Sequence, residues 1–445
     1  MSSKKISVAA AALTALVVIS FYFGGKHLLA QKNGPDGNVS AESQGCVNCH
    51  GKQNYGVGIV KMWQESKHYP AGIGCYECHQ AEPKDVDAFD HYGKTIATIV
   101  SPKDCSQCHE KEAGEFMNSR HARGTEFIGS LDNVLGEIVE GAAAAISGCR
   151  QCHGSIVTVT AKGKLDPSTW PNSGIGRVNP DGSRGSCSAC HSRHSFSAAQ
   201  ARQPEPCGKC HMGPDHPQIE IYQESKHGIK YDNFQHLMNL ESDSWVVGKD
   251  YSAAPTCATC HMSATPNQGV THDVGQRISW TLRPVVSFKL ENWEKKRSNM
   301  QDVCNQCHAK ESTGNFYVQF DEAVELWNEK FAKPAKQIMD FFYDTGKLTR
   351  TPFDEKIEWI YYELWHHEGR RARHGASMQG PDFTQWHGFY EVAKNFYTEF
   401  LPECEAIQKG ITSQILSTDY HSWIKGMTEE QRKKVLEFYK SRYGQ

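Results

Sequence analysis

The chain has two textures of hydrophobic patterning. From about residue 31 to 311, apolar side chains are scattered among Gly, Pro and Ser with few periodic runs, which predicts short helical turns and loops. After His308 the pattern changes. The stretches 315–342, 353–373 and 386–400 carry Phe, Trp, Leu and Tyr at helical spacing among charged residues, which predicts long helices whose aromatic stripes are core. Thr428 with Gln431 forms a capping box that opens a last helix over 429–439. At the other end, Lys4 and Lys5 precede an uncharged run from Ile6 to Gly25. That run suits an export signal, and its length favours a retained membrane anchor over a cleaved leader. The expected organisation is an export segment over 1–30, a loop-rich region over 31–311 and a helical region over 312–445.

Composition changes this picture. Only 38% of the 445 residues are hydrophobic, which is thin for so long a chain, while 17 Cys and 22 His are far too many. Sixteen of those 17 cysteines fall in one pattern, Cys-x-x-Cys-His. It occurs as Cys46-Val-Asn-Cys49-His50, Cys75-Tyr-Glu-Cys78-His79, Cys105-Ser-Gln-Cys108-His109 and Cys149-Arg-Gln-Cys152-His153. It recurs as Cys187-Ser-Ala-Cys190-His191, Cys207-Gly-Lys-Cys210-His211, Cys257-Ala-Thr-Cys260-His261 and Cys304-Asn-Gln-Cys307-His308. This is the attachment signature of haem c: two thiols form thioethers to the porphyrin and the adjacent His becomes an axial ligand. Zinc sites and disulfide frameworks do not require a His after the second Cys every time. Eight covalent haems would supply the missing apolar core, giving a mainly α multihaem cytochrome c with a haem-packed N-terminal region and a long-helix C-terminal region. Covalent haem also requires export, so the expected location is the periplasm. The net charge of -3 and the lack of a basic block give no indication of nucleic acid.

A haem that relays electrons has two axial ligands, whereas one that acts on a small molecule needs an open position. The useful histidines are therefore those outside the motifs. Trp63-x-x-Ser66-x-His68, Phe116-x-x-Ser119-x-His121 and Tyr222-x-x-Ser225-x-His227 repeat one local context, which argues for one repeated task, distal ligation. His91, His194 and His272 extend the set, and one of His366, His367 and His374 completes it; His374 is the one chosen. That leaves seven distal ligands for eight haems. No His lies between His153 and Cys187, so the fourth haem, with His153 as its axial ligand, is expected to be the open, catalytic one. The pair Asp215-His216, between Pro214 and Pro217, is either a proton-handling pair beside substrate or one more haem ligand. Cys404 is expected to be a small apolar residue on a helix, and His387 and His421 receive no role.

The sequence resembles the octahaem hydroxylamine oxidoreductase family over nearly all of its length after the export segment. The likeness is carried by the motif spacing and by Asn179-Pro-Asp-Gly-Ser183, Cys187-Ser-Ala-Cys-His-Ser-Arg-His-Ser-Phe-Ser197, Gly213-Pro-Asp-His216, Ala254-Pro-Thr-Cys257, Thr271-His-Asp273 and Trp386-His-Gly388. The resemblance implies that the fourth haem is catalytic, that Asp215 and His216 line its distal side, and that the protein is a homotrimer packed through its C-terminal helices. One departure stands out. Members that oxidise hydroxylamine or hydrazine bear a Tyr that bonds covalently to the catalytic porphyrin of a neighbouring subunit, and the matching stretch here, Gly380-Pro-Asp-Phe-Thr-Gln-Trp386, has Phe383 instead. Without that cross-link the resemblance implies reduction, with nitrite as substrate and ammonium, hydroxylamine or nitric oxide as product. A quinol-linked membrane cytochrome or a soluble cytochrome would donate electrons. Hydroxylamine oxidation at the same haem, and a purely electron-conducting cytochrome, are the competing functions.

Overall fold

The computed structural model describes residues 38–129 and 134–444. The expected export segment, 1–30, lies outside the described residues; among those described, no helix is long and apolar enough to cross a membrane. The fold is mainly α. It divides after Ala201 into two compact units. The first five Cys-x-x-Cys-His motifs lie in one and the last three in the other. The change of texture at 311 is a change of helix length and falls inside the second unit.

In the first unit, strand Ala88–His91 pairs antiparallel with Lys94–Ala97. The two-residue turn between them, Tyr92-Gly93, has both φ angles positive (51° and 78°), the geometry that matches the twist of a tight hairpin. The hairpin holds His91 at its end. The repeated aromatic-x-x-Ser-x-His context is a repeated piece of backbone. The hydroxyls of Ser66, Ser119 and Ser225 donate to the carbonyls of Trp63, Phe116 and Tyr222 at 2.6, 2.6 and 2.7 Å. All three serines and their aromatic partners are buried. Ser119 and Ser225 turn extended, with ψ of 164° and 158°, and so end one helix and aim the chain two residues later. Ser225 also accepts from Gly228 N at 3.1 Å as the N-cap of Lys226–Phe234. Ser225→Ala is expected to cost about 1 kcal/mol in chemical denaturation, against no measurable change for the exposed Ser441→Ala.

The C-terminal helices follow the predicted stripes with extended bounds. Helical backbone runs over 310–344, with one wider turn at Trp327–Ala332, and over 356–378, with another at Glu363–Glu368. A third stretch covers 381–407 and kinks at Gly388. A Cβ at Gly388 would come within 2.8 Å of Ala372 Cα, so the glycine permits the second and third stretches to approach. Between Thr281 and Phe288 the chain is gripped by side chains from these helices. Trp327 Nε1 donates to Val285 O at 2.8 Å, and Asn328 exchanges two hydrogen bonds with the Ser287 backbone at 2.8 and 3.0 Å. The buried Arg373 donates to Pro284 O and Ser287 Oγ. The last helix, Glu429–Tyr443, opens with the expected capping box from Thr428 to Gln431. It leaves Val435, Leu436, Phe438 and Tyr439 exposed.

Candidate functional site

Where Cys-x-x-Cys-His forms one helical turn, as in Cys75–His79, Cys149–His153 and Cys257–His261, the two thiols at i and i+3 share a face and the His follows immediately. None of the 17 cysteines is paired in a disulfide. Among the described residues the only triplet of potential ligand groups converging on one point is Asp354, Glu355 and Glu358, so no set of thiols is arranged as a zinc site.

The residues fit haem in two independent ways. First, imidazoles face one another across gaps of constant width. Ring centroids are 6.2 Å apart in His50–His91, 6.2 Å in His68–His109 and 6.0 Å in His227–His308. A metal bound by two imidazole nitrogens at about 2 Å each would hold the rings about 6 Å apart. Second, His50, His79 and His261 turn Nδ1 to the carbonyls of Tyr55, Ala97 and Val274 at 2.5, 2.8 and 3.2 Å. A proton on Nδ1 would leave Nε2 as the free ligand atom. Burial holds His68, His227 and His261 below the ordinary imidazole range, so they are neutral, the form that binds a metal. His194, also kept neutral by burial, lies beside His79.

Attachment motifs abut within each unit. Cys46 lies beside Cys75, Cys78 near Cys105, and Cys105 beside Cys187. In the second unit Cys207 lies beside Cys257, and Cys260 near Cys304. Haems attached at such neighbouring thiols would form continuous runs. The arrangement defines a multihaem c-type cytochrome.

Asp215 and His216 sit in a tight loop of the second unit. Gly213, with φ +97°, reverses the chain, and Ile219 N closes the loop by donating to His211 O at 3.0 Å. Arg370 Nη1 donates to Asp215 Oδ2 at 3.0 Å, and Arg370 Nε to Arg283 O at 2.8 Å. Behind them His366 Nε2 lies 2.8 Å from Arg370 Nη1 and 3.2 Å from Tyr362 Oη. On the other side His216 Nε2 faces Asp215 Oδ1 at 3.5 Å. His216 is 6.0 Å from His211 by ring centroids. Yet Nε2, which a haem ligand turns to iron, points at its own aspartate. His374 is also near both His211 and His216, and burial, reinforced by the Arg373 guanidinium, keeps it neutral. Of the three candidate histidines, His366 belongs to the Asp215 cluster, His367 bonds Glu363 at 2.8 Å, and His374 lies near the motif histidine His211. His121 and His272 are half-buried. His153 belongs to the first unit, and Asp215 with His216 to the second. Phe383 is half-buried, its ring 5.7 Å from that of His387. His421, also without an assigned role, is buried against Phe396 and bonded to Tyr397 Oη at 2.7 Å. Cys404 is buried on its helix.

Sequence reasoning passed over Arg370 and Tyr362 and considered His366 only as an iron ligand. A usable signal was there: positions 362, 366, 370 and 374 follow one helix face at intervals of four, placing polar groups inside an aromatic stripe.

Comparison with known proteins agrees with this class. A family model described as seven times multi-haem cytochrome CxxCH matches residues 179–353, and a cytochrome c554 and c-prime model matches 25–80 and 104–192. A probable nitrite reductase–hydroxylamine oxidoreductase fusion protein of Kuenenia stuttgartiensis is 28% identical over 324 residues. These are 65% of this chain and only 32% of that protein, so the chain spans about a third of its relative. Among solved structures, a hypothetical multihaem protein aligns over 83% of this chain and 96% of its own, at TM-score 0.73 and 26% identity. A reducing HAO-like protein complex of Kuenenia stuttgartiensis aligns over 84% and 87%, at TM-score 0.61 and 20% identity, and shows the shared fold. The chain is a multihaem c-type cytochrome that resembles the hydroxylamine-oxidoreductase-like multihaem proteins in sequence and fold.

Proposed function

We propose that this protein is a periplasmic octahaem oxidoreductase that reduces nitrite at a haem attached through Cys149, Cys152 and His153. The observation that carries the proposal is the state of Asp215. It is a mostly buried carboxylate held by Arg370 on one oxygen and faced by an imidazole on the other, an arrangement suited to moving a proton. The bound haem supplies an iron at which nitrite is reduced and the electrons that reach it. Cys149, Cys152 and His153 would hold that haem. Reduction of nitrite consumes protons with every oxygen removed, and Asp215 with His216 delivers them. Arg370 fixes the carboxylate, and His374, near the motif histidine His211, would help to hold the haem attached there. The relative named for nitrite reductase and hydroxylamine oxidoreductase activities supports a nitrogen-oxide substrate, and Phe383, lacking a phenol, supports the reductive direction.

Two measurements on the holoprotein test this. Its intact mass and haem-bearing peptides are expected to show eight haems, with none joined to the peptide that contains Phe383. Reduced methyl viologen is expected to be oxidised by nitrite, with ammonium, hydroxylamine or nitric oxide as product. A protein inert to both nitrite and hydroxylamine contradicts the proposal; a haem joined to a C-terminal tyrosine peptide reverses its direction to hydroxylamine oxidation.

The protein is further proposed to be a homotrimer joined through its C-terminal helices, with the N-terminal segment as an anchor beside a quinol-linked donor. The exposed Trp423, Leu436, Phe438 and Tyr439 support the first part, since they are large apolar groups on one terminal stretch. Truncation after Leu416 is expected to change the sedimenting species from trimer to monomer while retaining all haems. A truncated protein that sediments unchanged rules this interface out.

A further inference from the structure

Two arginines, one in each unit, are almost wholly buried: Arg177 is 2% exposed and Arg277 1%. Arg177 donates through Nε to Asn179 Oδ1 at 2.6 Å, and through Nη1 and Nη2 to Asn172 O and Val100 O, both at 3.3 Å. Arg277 donates through Nη1 to Cys260 O at 3.0 Å and through Nη2 to Ser263 O at 2.6 Å, while its buried Nε has no partner. All of these acceptors are neutral, and among the described residues neither guanidinium forms an ion pair. Three other part-buried arginines are paired. Arg297 grips Asp321 through two bonds at 2.7 and 2.6 Å, and Arg370 and Arg150 hold Asp215 and Glu137.

Each unit has a carboxylate near its buried arginine, and each carboxylate is committed to other donors. The charge of Asp181 reaches Arg177, yet Asp181 accepts from Ser101 Oγ at 2.6 Å and from Ser183 N and Oγ at 2.8 and 2.6 Å. The charge of Asp302 reaches Arg277, yet Asp302 accepts from Thr265 Oγ1 and Gln268 Nε2 at 2.6 Å and from Asn267 Nδ2 at 2.7 Å. An unpaired charge in the interior is costly, and a guanidinium does not shed its proton to avoid the cost. A neutral side chain of similar size would avoid it, so the charge itself has a use. Position indicates what the charge acts on. Arg177 lies beside the attachment cysteines Cys105 and Cys187. Arg277 is bonded to the backbone of Cys260 and lies near its thiol and near His261.

We propose that these two arginines set haem potentials: Arg277 raises that of the haem attached through Cys257 and Cys260, and Arg177 those of the haems attached through Cys105 and Cys187. Reduction adds one electron to a haem and lowers its charge by one unit. A fixed positive charge nearby, in an interior of low dielectric, therefore favours the reduced form. Electrons entering the protein collect on these haems. The inference concerns potentials alone and holds whichever nitrogen compound the protein transforms.

The test is a spectroscopic redox titration of the haem-loaded protein with dithionite as reductant, in the absence of nitrite and hydroxylamine. Arg277→Gln keeps a donor for Cys260 O but loses the charge. A minority of its haem absorbance is expected to titrate at lower potential than in the wild type. Arg277→Lys retains the charge and should titrate close to wild type. Arg184→Gln, at an exposed arginine paired with Glu126, should leave the titration unchanged. If Arg277→Gln does not take up its haems, Arg177→Gln decides in the other unit, where a downward shift is likewise expected. An unchanged titration in fully haem-loaded Arg277→Gln or Arg177→Gln overturns the proposal, as does an equal shift in Arg184→Gln. Arg277→Lys shifted as far as Arg277→Gln also overturns it, because the effect would then belong to the lost hydrogen bonds and not to the charge.

Discussion

Exchange of Asp215 for asparagine is expected to slow nitrite reduction by about 10²- to 10⁴-fold, the usual contribution of a positioned proton donor or acceptor. The substitution keeps the shape of the side chain and leaves an amide oxygen where Arg370 Nη1 now donates at 3.0 Å. Arg370 also keeps its bond to Arg283 O and its neighbour His366, so the local fold has reason to persist. The variant loses the carboxylate's charge and, with it, the ability to take up and release a proton. The defect should therefore appear in kcat, with haem content and the visible spectrum unchanged. Arg370→Lys separates positioning from charge. Lysine keeps the positive charge but cannot donate to Asp215 and to Arg283 O with the same planar fork. Its kcat is expected to fall between those of the wild type and Asp215→Asn. Retention of more than half of wild-type turnover by Asp215→Asn would remove Asp215 from the proton path, whatever the substrate.

How much of this was legible in the sequence follows from how local each feature is. The attachment motifs span five residues and were readable at once. The aromatic-x-x-Ser-x-His repeat was readable too, because Ser66, Ser119 and Ser225 act on carbonyls only three residues back. Pairing was not. His68 faces His109 and not the nearer His50 or His79, a choice made by how the loops between them close. The long helices were foreseen within a few residues, but 353–373 continues to Met378 because the stop is set by Gln379, whose φ of +57° no periodicity reports. The wider turns at Trp327–Ala332 and Glu363–Glu368 each shift the buried face partway along a helix, which a single stripe of constant period does not describe. Arg370 was missed because its partner is 155 positions away along the chain, and an arginine on a charged helix looks solvated until Asp215 is placed beside it.

The largest loss of stability is expected at Trp327. Its side chain is 0% exposed, its Nε1 holds Val285 O, and the Arg373 guanidinium lies over its ring at 4.8 Å. Trp327→Ala removes a large fully buried ring and leaves Val285 O without that donor and Arg373 over a cavity, at a cost of about 3–5 kcal/mol. The converse change strains the same contact. A Cβ at Gly369 would sit 2.3 Å from the Trp327 ring, so Gly369→Ala must displace either the ring or the helix, at about 1–3 kcal/mol. Because Gly369 is helical, its backbone would accept alanine, and the predicted loss comes from the ring alone. The consequence extends to chemistry, since Gly369 adjoins Arg370 and opens the helix Gly369–Met378 that also carries His374. Gly369→Ala is thus expected to lower both the denaturation midpoint and kcat. In Trp327→Phe/Gly369→Ala the smaller ring should restore part of each, because the alanine methyl then has room. If the double variant is no better than the sum of its parts, the clash is not what couples this helix to Asp215, and Arg370 is held by its hydrogen bonds to Arg283 and His366 alone.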